Sequence, residues 1–366
     1  MKRCVHLFTT VFVVWGLSDC AGGGETHGNA LFSTVIKEWR RREDCTRSFR
    51  FVWKARHFRG AGYQALPQDG EQPARTGDTR VSLTMNQAES GCQAKFETER
   101  DFWRASDKRF ARGSTIVAFD GSRRWSLAIE GADTFPRGAV GGSSNEDGSV
   151  ILKNVWFLPL RLMYCPLHKG FGVLDPDQLV LASDSDVVDG RDCLVVSQSD
   201  SKGRILKVWV DPNREYVPIQ YTKVDRGIPR RHIMIDYVKD PEAIWVPSSW
   251  KVDELNLKGK IMESLAAQVV ERQINARFTV QDFQVEFPVG TYVRDYEADT
   301  TYILREGGER RPVLPGEFTG ENYEELLHSD PPSSGRSRLW IVVAVNAVLL
   351  ALVGTWFFYF RKRRTA

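Results

Sequence analysis

The feature that most constrains this chain is an uncharged run near its C-terminus. Leu339 to Phe360 carries no formal charge, and Arg361-Lys362-Arg363-Arg364 follows it directly. At about 1.5 Å of rise per residue, a helix of this length crosses the roughly 30 Å hydrocarbon core of a bilayer. Asn346 is the one strongly polar side chain within the run. The sequence therefore predicts a single transmembrane helix over residues 339–360, and a buried core helix is the less favoured alternative.

The charges on either side of this run predict its orientation. Lys and Arg next to a membrane span stay on the cytoplasmic side, and four of them lie in the tail, residues 361–366. Residues 317–338, before the run, include the Pro- and Ser-rich stretch 329–335, which is typical of a flexible stalk. We therefore expect a single-pass protein of a bacterial cytoplasmic (inner) membrane, with most of the chain on the outer side.

The N-terminus agrees with this location. Lys2 and Arg3 precede an apolar stretch, Val5 to Leu17, and small or flexible residues follow it. This order is typical of a signal peptide, here residues 1–22, because the apolar stretch is too short to cross a bilayer. Residues 17–20 also loosely resemble a lipobox, so lipidation of Cys20 is an alternative to a simple cleavage. The domain between the two ends is expected to be periplasmic.

Composition narrows the function of this exported domain, residues 30–316. A net charge of +3 on 366 residues is small, and nucleic acid is not an expected partner outside the cytoplasm. Four cysteines in an oxidising compartment predict two disulfides, with all three pairings open and four buried thiols as the alternative. Their spacing matches no zinc motif. The cysteines in question are Cys45, Cys92, Cys165 and Cys193.

An N-terminal helix and then a long series of strands are expected in the domain. Leu31, Val35 and Trp39 recur four residues apart, as on one face of a helix. Thereafter apolar residues alternate with polar ones, as in half-buried strands. Two hairpins are predicted, 115–119 with 125–129 and 193–198 with 205–210, followed by strands at 216–224 and 231–238. The longest strand is predicted at Gln268 to Val285, divided by a bulge or bend. Val155 to Tyr164 is predicted to form a short helix, limited by Pro159. We also expect a mobile insertion at Arg137 to Gly148 and a flexible stretch at Gly60 to Gly77.

Short connections between these strands favour antiparallel pairing, because parallel strands need long crossovers. We therefore predict a mainly β (α+β) fold, in which a strongly curved antiparallel sheet, an unclosed barrel or half-barrel, wraps over the N-terminal helix. Eleven tryptophans and twenty phenylalanines would fill its concave interior. A β-sandwich with the same aromatic core is an equally weighted alternative from composition alone.

Two segments resemble a known family. The turn Phe119-Asp120-Gly121-Ser122 with Trp125 after it, and Val208-Trp209-Val210-Asp211-Pro212 followed by Pro218-Ile219-Gln220-Tyr221, are similar to LolA-like bacterial lipoprotein-carrier and lipoprotein-sorting proteins. The resemblance covers residues 31–285. It implies an unclosed antiparallel barrel lidded by helices, with a concave apolar surface that holds an acyl chain or another protein's apolar segment. The chain departs from these soluble shuttles in its predicted membrane span. Residues 287–304 lie beyond the match and are expected to add a small hairpin.

Motifs for catalysis are absent from the sequence. It contains no Gly-x-Ser-x-Gly elbow, Walker loop, dinucleotide fingerprint or His-Glu-x-x-His. The acidic run at Asp184, Asp186 and Asp189 lacks the ligands of an EF-hand, because Val188 and Val195 occupy required positions. His57 and His232 lie in predicted strands, where a structural imidazole is the favoured interpretation. We therefore expect no enzyme activity, no metal and no cofactor.

The sequence thus favours a membrane-tethered binding protein whose concave face holds a membrane lipid, a lipoprotein acyl chain or another apolar ligand. The alternative is a structural module with a fully packed core, which recruits another envelope protein by strand addition. The side chains that alternation turns inward are the candidate ligand-binding residues: Phe51, Trp53, Trp125, Leu127, Ile233, Ile235 and Phe278.

Overall fold

The chain is mainly β. The computed structural model describes residues 24–61, 74–88, 91–104, 108–131, 134–141, 151, 154–170, 172–182, 185–240, 245–330, 344–354 and 356. The first helix, α1, spans Gly24–Cys45, and α2 and α3 span Leu158–Tyr164 and Tyr323–His328. A 3-10 turn at Val155–Phe157 leads directly into α2. The predicted short helix at 155–164 is therefore confirmed, with Pro159 in its first turn, where a missing N–H costs nothing.

Seventeen strands form the rest of the described fold. The first six are β1 (Ser48–Arg59), β2 (Arg75–Ala88), β3 (Gly91–Arg104), β4 (Arg109–Phe119), β5 (Arg124–Ile129) and β6 (Arg137–Val140). The next eight are β7 (Leu179–Leu181), β8 (Asp186–Val188), β9 (Arg191–Ser199), β10 (Arg204–Asp211), β11 (Val217–Asp225), β12 (Ile228–Lys239), β13 (Trp245–Leu255) and β14 (Ile261–Ile274). The last three are β15 (Tyr292–Asp295), β16 (Thr300–Leu304) and β17 (Arg310–Pro312).

Backbone pairing joins these strands into one continuous, unclosed sheet. β7 and β8 pair with β9, and the order then runs β10, β11, β12, β13, β14, β1, β2, β3, β4, β5, β6, β15, β16 and β17. All neighbours are antiparallel except β6 and β15, which are parallel and lie far apart in the chain. Within the described residues no pairing connects β17 back to β7, β8 or β9. The predicted curved, open antiparallel sheet with an N-terminal helix is confirmed.

Both predicted hairpins are confirmed, and their turns show why they form. The carboxylate of Asp120 accepts hydrogen bonds from the backbone N of Ser122 (2.8 Å) and of Arg123 (2.7 Å) between β4 and β5. Asp200 does the same for Lys202 and Arg204 between β9 and β10. An Asp at the first position of a turn replaces backbone partners in this way.

The predicted long strand at 268–285 is wrong. β14 is shifted towards the N-terminus and ends at Ile274, because Asn275 has a φ of 55° that interrupts the extended backbone. Its amide oxygen accepts from the N of Arg47 (2.9 Å), and its amide nitrogen donates to the O of Cys45 (2.9 Å). A 3-10 turn follows at Val280–Phe283. Asn275 therefore ties the end of β14 to the end of α1.

Two predicted flexible stretches are partly ordered strand. Residues 137–140 of the predicted mobile insertion form β6, which pairs with β5 and β15. Gly138 permits this packing, since a Cβ there would lie 2.8 Å from the ring of Phe287. The other stretch ends in β2, which begins at Arg75. Residues 62–73 and 142–150 lie outside the described part of the chain.

The predicted hairpin beyond residue 287 is confirmed, and the residues after it are folded as well. β15 and β16 pair with each other, and α3 packs its buried Tyr323 and Leu326 against Ile303 and Val313. Residues 317–330, in the range predicted as a stalk, therefore pack on β15–β17 in a C-terminal unit of β15–β17 with α3. The rest of the predicted stalk, 331–338, lies outside the described residues.

The predicted membrane span is described only in part. Residues 344–354 and 356 are helical. Among the residues that the structure describes, no helix reaches the combination of length and apolar character that a membrane crossing requires. The predicted signal peptide and Cys20 lie outside the described residues.

The predicted disulfides are not formed in the structure. No disulfide joins any two of Cys45, Cys92, Cys165 and Cys193. Cys45 is exposed at the end of α1, whereas Cys165 is buried beyond the end of α2. Burial raises the pKa values of the Cys165 and Cys193 thiols, which keeps them protonated. A disulfide depends on the distance between Cα atoms, which spacing along the chain does not determine.

Candidate binding site

The concave face of the sheet carries the main hydrophobic core. On β1, Phe49, Phe51, Trp53 and Ala55 point inward and are at most 5 % exposed, while Lys54 and Arg56 on either side of Ala55 are exposed. Strand register then places apolar side chains from the neighbouring strands beside them, because paired residues share a face. Trp53 lies opposite Val81 on β2 and Val269 on β14. We call this surface, formed by the inward side chains of β1–β3 and β9–β14, the concave wall.

A segment of the chain itself fills the hollow in front of the concave wall. This inner segment, Val155–Tyr164, is almost entirely apolar, and Phe157 and Leu160 are fully buried. The ring of Phe157 lies 4.7 Å from that of Phe96 on β3, centroid to centroid, and 6.1 Å from that of Trp53. The interior is therefore occupied by the protein's own side chains.

Two residues of α1 anchor the end of the inner segment. Arg42 donates from Nη2 to the O of Glu215 (2.7 Å) and from Nη1 to the O of Met163 (3.5 Å). Glu43 accepts a hydrogen bond at Oε1 from the N of Leu167 (2.6 Å). Burial lowers the pKa of Arg42 and raises that of Glu43 to about 6. Polar contacts thus hold the segment where it leaves the hollow.

The contact between inner segment and concave wall leaves hydrogen-bond donors unpaired. Nε1 of Trp53, Nε1 of Trp250 and the hydroxyl of Tyr164 are buried and have no hydrogen-bond partner among the residues that the structure describes. The two indoles lie 5.1 Å apart, and Tyr164 packs on Phe49 at 5.1 Å. Each unpaired buried donor costs about 1–3 kcal/mol. The apolar packing here is dense, but its polar groups are incompletely satisfied.

One end of the concave face is charged. Along β1 the inward side chains change from Trp53 and Ala55 to His57 and Arg59, and Glu263 on β14 lies opposite Arg59. Nε2 of His57 is 2.6 Å from Oε1 of Glu263, and Nη2 of Arg59 is 3.7 Å from the same oxygen. Arg75 on β2 forms an ion pair with Asp101 on β3. We call the set His57, Arg59, Arg75, Arg100, Asp101 and Glu263 the charged rim.

Arg100 differs from the other arginines of the charged rim. Its guanidinium lies 5.3 Å from the ring centroid of Trp156 and 4.9 Å from that of Phe102, and its buried Nε has no hydrogen-bond partner. Burial, followed by the nearby charge of Arg59, lowers its pKa to about 10. A cavity of about 30 Å³ lies beside it, lined by every rim residue except Glu263, together with Gly77, Asp78, Thr79 and Phe110.

The seven candidate residues from the sequence fall into three places. Phe51, Trp53, Ile233 and Ile235 lie on the concave wall and are at most 2 % exposed. Trp125 and Leu127 on β5 belong to a separate cluster with Ala118 and Val285. Phe278 lies beyond the end of β14, not in a strand, and packs on Phe283 at 6.0 Å. Alternation alone does not show which part of a curved sheet a strand faces.

The inner segment and the charged rim were missed as parts of one site. The apolar composition of 155–164 was visible in the sequence, but its position inside the sheet depends on long-range packing. Arg100 follows Phe96 and Thr98 at period two, so its inward direction could have been read from β3. The absence of a carboxylate partner for Arg100 could not be predicted from the sequence, since it depends on how β1, β2, β3 and β14 pack together.

The chemistry available at this site is burial and charge pairing. Among the described residues, no group of three His, Cys, Asp or Glu side chains is placed to hold a metal ion. His57 is held between Glu263 and the ring of Trp156, 5.0 Å away. The wall offers apolar area, and the rim offers guanidinium donors.

Comparison with known proteins gives only distant structural neighbours. No protein-family model and no curated protein sequence matches significantly. A candidate outer membrane lipoprotein-sorting protein domain from Vibrio parahaemolyticus is 13 % identical over 68 % of this chain and 94 % of its own, with a TM-score of 0.41. A LolA superfamily protein from Nitrosomonas europaea is 9 % identical over 69 % of this chain and 97 % of its own, with a TM-score of 0.36. Their names agree with the sequence resemblance. At these TM-scores and identities, they establish neither the family nor the ligand of this chain.

Proposed function

We propose that this chain is a membrane-tethered, extracytoplasmic binding protein that holds an acyl chain or another apolar ligand against its concave wall. The ligand would take the place of the inner segment. Binding then exchanges one apolar occupant for another, and its driving force is the burial of ligand surface at about 25 cal/mol per Å². No bond chemistry is required.

The observation that carries this proposal is the set of unpaired donors between wall and inner segment. A permanently packed core pairs nearly all of its buried polar groups. Here Trp53, Trp250 and Tyr164 each retain an unpaired donor. The inner segment is also short, and a seven-residue helix has little stability of its own. Both features lower the cost of moving this segment out of the hollow.

The alternative, recruitment of an envelope protein by strand addition, has less support. Strand addition needs a long exposed edge with free backbone groups. The terminal strands here, β7, β8 and β17, have three residues each, and β17 ends in Pro312, which has no N–H to donate. The filled interior agrees with a packed module as well as with a closed carrier, so the unpaired donors and short edges distinguish the two.

The tether is supported by the C-terminal segment. The helical residues 344–354 and 356 expose several large apolar side chains, among them Leu350 at 73 % and Trp356 at 64 %. Exposed apolar surface of this kind is typical of membrane contact. If the full chain is released from membranes by alkaline carbonate, or if protease added to spheroplasts fails to reach the sheet domain, tethering and export are wrong.

Shrinking the inner segment tests the binding function. Phe157→Ala removes its central contact with the wall and should lower the free energy of unfolding by about 3–5 kcal/mol. Because the segment then competes less well, native mass spectrometry of the full chain released from detergent should show more bound lipid than in the wild type. Phe157→Leu should give a smaller increase of the same sign.

Leu127→Ala is the matched control, since Leu127 is 4 % exposed in the separate β5 cluster. It should lower stability by about 2–5 kcal/mol without changing bound lipid. If all three variants lose stability and none of the proteins, wild type included, carries lipid, the concave face is a structural core and the proposed function is wrong.

A further inference from the structure

We propose that the charged rim is a headgroup site, and that the ligand is an anionic amphiphile whose carboxylate or phosphate pairs with Arg100 while its acyl chain lies along the concave wall. This inference rests on the proposed function and specifies the class of ligand.

The first support is the change of polarity along single strands. On β3 the inward residues run Phe96, Thr98, Arg100, and on β1 they run Trp53, Ala55, His57, Arg59. Two residues of strand span about 6.6 Å, so the surface changes from aromatic to charged within roughly 13 Å. An amphiphile changes polarity over a similar distance, from its alkyl chain to its headgroup.

The second support is the charge balance of the rim. Glu263 faces both His57 and Arg59, and Asp101 is paired with Arg75. Arg100 forms no ion pair or hydrogen bond within the described part of the chain. The acid that acts on it most is Glu263, which already has two cationic neighbours. Asp78 also lines the cavity but forms no ion pair with Arg100, so Arg100 is the rim guanidinium without a carboxylate partner among the described residues.

The contact of Arg100 with an aromatic ring does not replace a carboxylate partner. The guanidinium carbon lies 5.3 Å from the ring centroid of Trp156, a cation–π contact that supports the charge but uses none of the N–H groups as donors to an oxygen. Those donors form a planar fork that matches a carboxylate or phosphate. Thr98, 3 % exposed and one step deeper on β3, adds a buried hydroxyl without a partner.

The size of the rim cavity favours the end of a larger molecule over a free anion. At about 30 Å³ it has room for roughly one or two water-sized groups, and so for the oxygens of a single oxyanion. Trp156, the first aromatic residue of the inner segment, has its ring centroid 5.3 Å from the guanidinium of Arg100, which lines the cavity. An alkyl chain attached to the anion would continue towards the space that the inner segment occupies.

The test compares two probes that differ only in their headgroup. Native mass spectrometry of the full chain, released from a non-ionic detergent, measures binding of oleate and of oleyl alcohol, with inorganic phosphate as a third, chain-free probe. We expect oleate to bind at least about tenfold more tightly than oleyl alcohol, since a hydrogen-bonded charge pair contributes that much. Inorganic phosphate should not displace oleate at equal concentration.

Substitutions at Arg100 test whether this residue causes the preference for oleate over oleyl alcohol. Arg100→Gln should remove the preference for oleate over oleyl alcohol, and Arg100→Lys should restore part of it. The control is Arg80→Gln, because Arg80 lies on the exposed, opposite face of β2, one residue from the inward Thr79. It should bind both probes like the wild type.

The outcomes separate this inference from the proposed function. Equal binding of oleate and oleyl alcohol, unaffected by Arg100→Gln, overturns the headgroup site but leaves apolar binding intact. Phosphate that binds as tightly as oleate overturns the amphiphile in favour of a free-anion site. If neither oleate nor oleyl alcohol binds, both the headgroup site and the proposed function are wrong.

Discussion

The C-terminal unit buries an arginine and a tyrosine, whereas the concave face holds a buried tyrosine and a half-buried arginine whose Nε is buried, and the hydrogen bonding of the two pairs differs. Arg311 is 1 % exposed and donates to the carbonyl oxygens of Ser329 and Pro312 and, at 2.6 Å, to Oε1 of Glu317. The hydroxyl of Tyr323 donates to the O of Gly290 at 2.5 Å. Arg100 and Tyr164 have no such partners. The compared arginine and tyrosine are thus paired in the C-terminal unit and not at the concave face, although one further buried atom of the unit, Nε of Arg305, also has no partner among the described residues.

This difference indicates which region is built only for stability. Unpaired buried donors destabilise a folded state, so a region that retains them is expected to serve something besides folding. In the C-terminal unit, polar contacts and the stacked rings of Phe135 and Tyr323, 4.5 Å apart, support the same arrangement. At the concave face, by contrast, the apolar side chains are closely packed but several buried polar atoms have no hydrogen-bond partner among the described residues. Such disagreement between levels is expected at functional sites.

Arginine removal should show the largest contrast. Arg311→Met leaves Glu317 and two carbonyl groups without their donor, and should lower the local stability of the C-terminal unit by about 3–5 kcal/mol. Arg100→Met breaks no ion pair within the described chain and should change stability little. Hydrogen exchange of peptides from β15, β16 and β3 measures both. Equal losses in the two variants would show that Arg100 is as well satisfied as Arg311.

Tyrosine removal gives a smaller contrast of the same kind. Tyr323→Phe removes a buried hydrogen bond and should lower the free energy of unfolding by about 0.5–1.5 kcal/mol. Tyr164→Phe removes a hydroxyl that has no partner, so stability should stay the same or rise. Urea denaturation of the two variants beside the wild type is sufficient. A clear loss in Tyr164→Phe would mean that its hydroxyl is satisfied in solution.

The sequence predicted the frame of the fold better than the site within it. Local signals defined α1, the hairpins at Asp120 and Asp200, and the short helix after Val155, because periodicity and turn residues act over a few positions. The end of β14 at Asn275 was missed, since its cap joins residues more than two hundred positions apart. Whether Arg311 and Arg100 find hydrogen-bond partners depends likewise on contacts between segments that are distant in the sequence. Both are simply arginines in a strand when read locally.

The smallest contrast is expected in how the stability of the two regions depends on pH, because the pKa values of Glu43 and Glu317 are shifted in opposite directions. Burial raises the pKa of Glu43, which holds the chain after α2, to about 6 from an ordinary 4.5. The folded state then binds a proton more tightly than the unfolded state, so the anchor is strongest below pH 4.5 and weakens as pH rises towards 6. The hydrogen bond from Arg311 lowers the pKa of Glu317. Its contribution is present above pH 4.5 and is lost as pH falls through the lowered value.

Hydrogen exchange of α2 and of α3, corrected for the intrinsic pH dependence of exchange, should therefore change in opposite directions between pH 6 and pH 4. His168, in the same loop as the Glu43 contact, has a pKa lowered by burial and acts against Glu43, since its protonation on acidification destabilises the folded state. The difference between wild type and Glu43→Gln isolates the carboxyl from this imidazole. In the variant the added protection of α2 at acid pH should disappear, while α3 keeps its own profile. If α2 and α3 lose protection together on acidification in both proteins, Glu43 is not a buried anchor, and the inner segment is held by apolar packing alone.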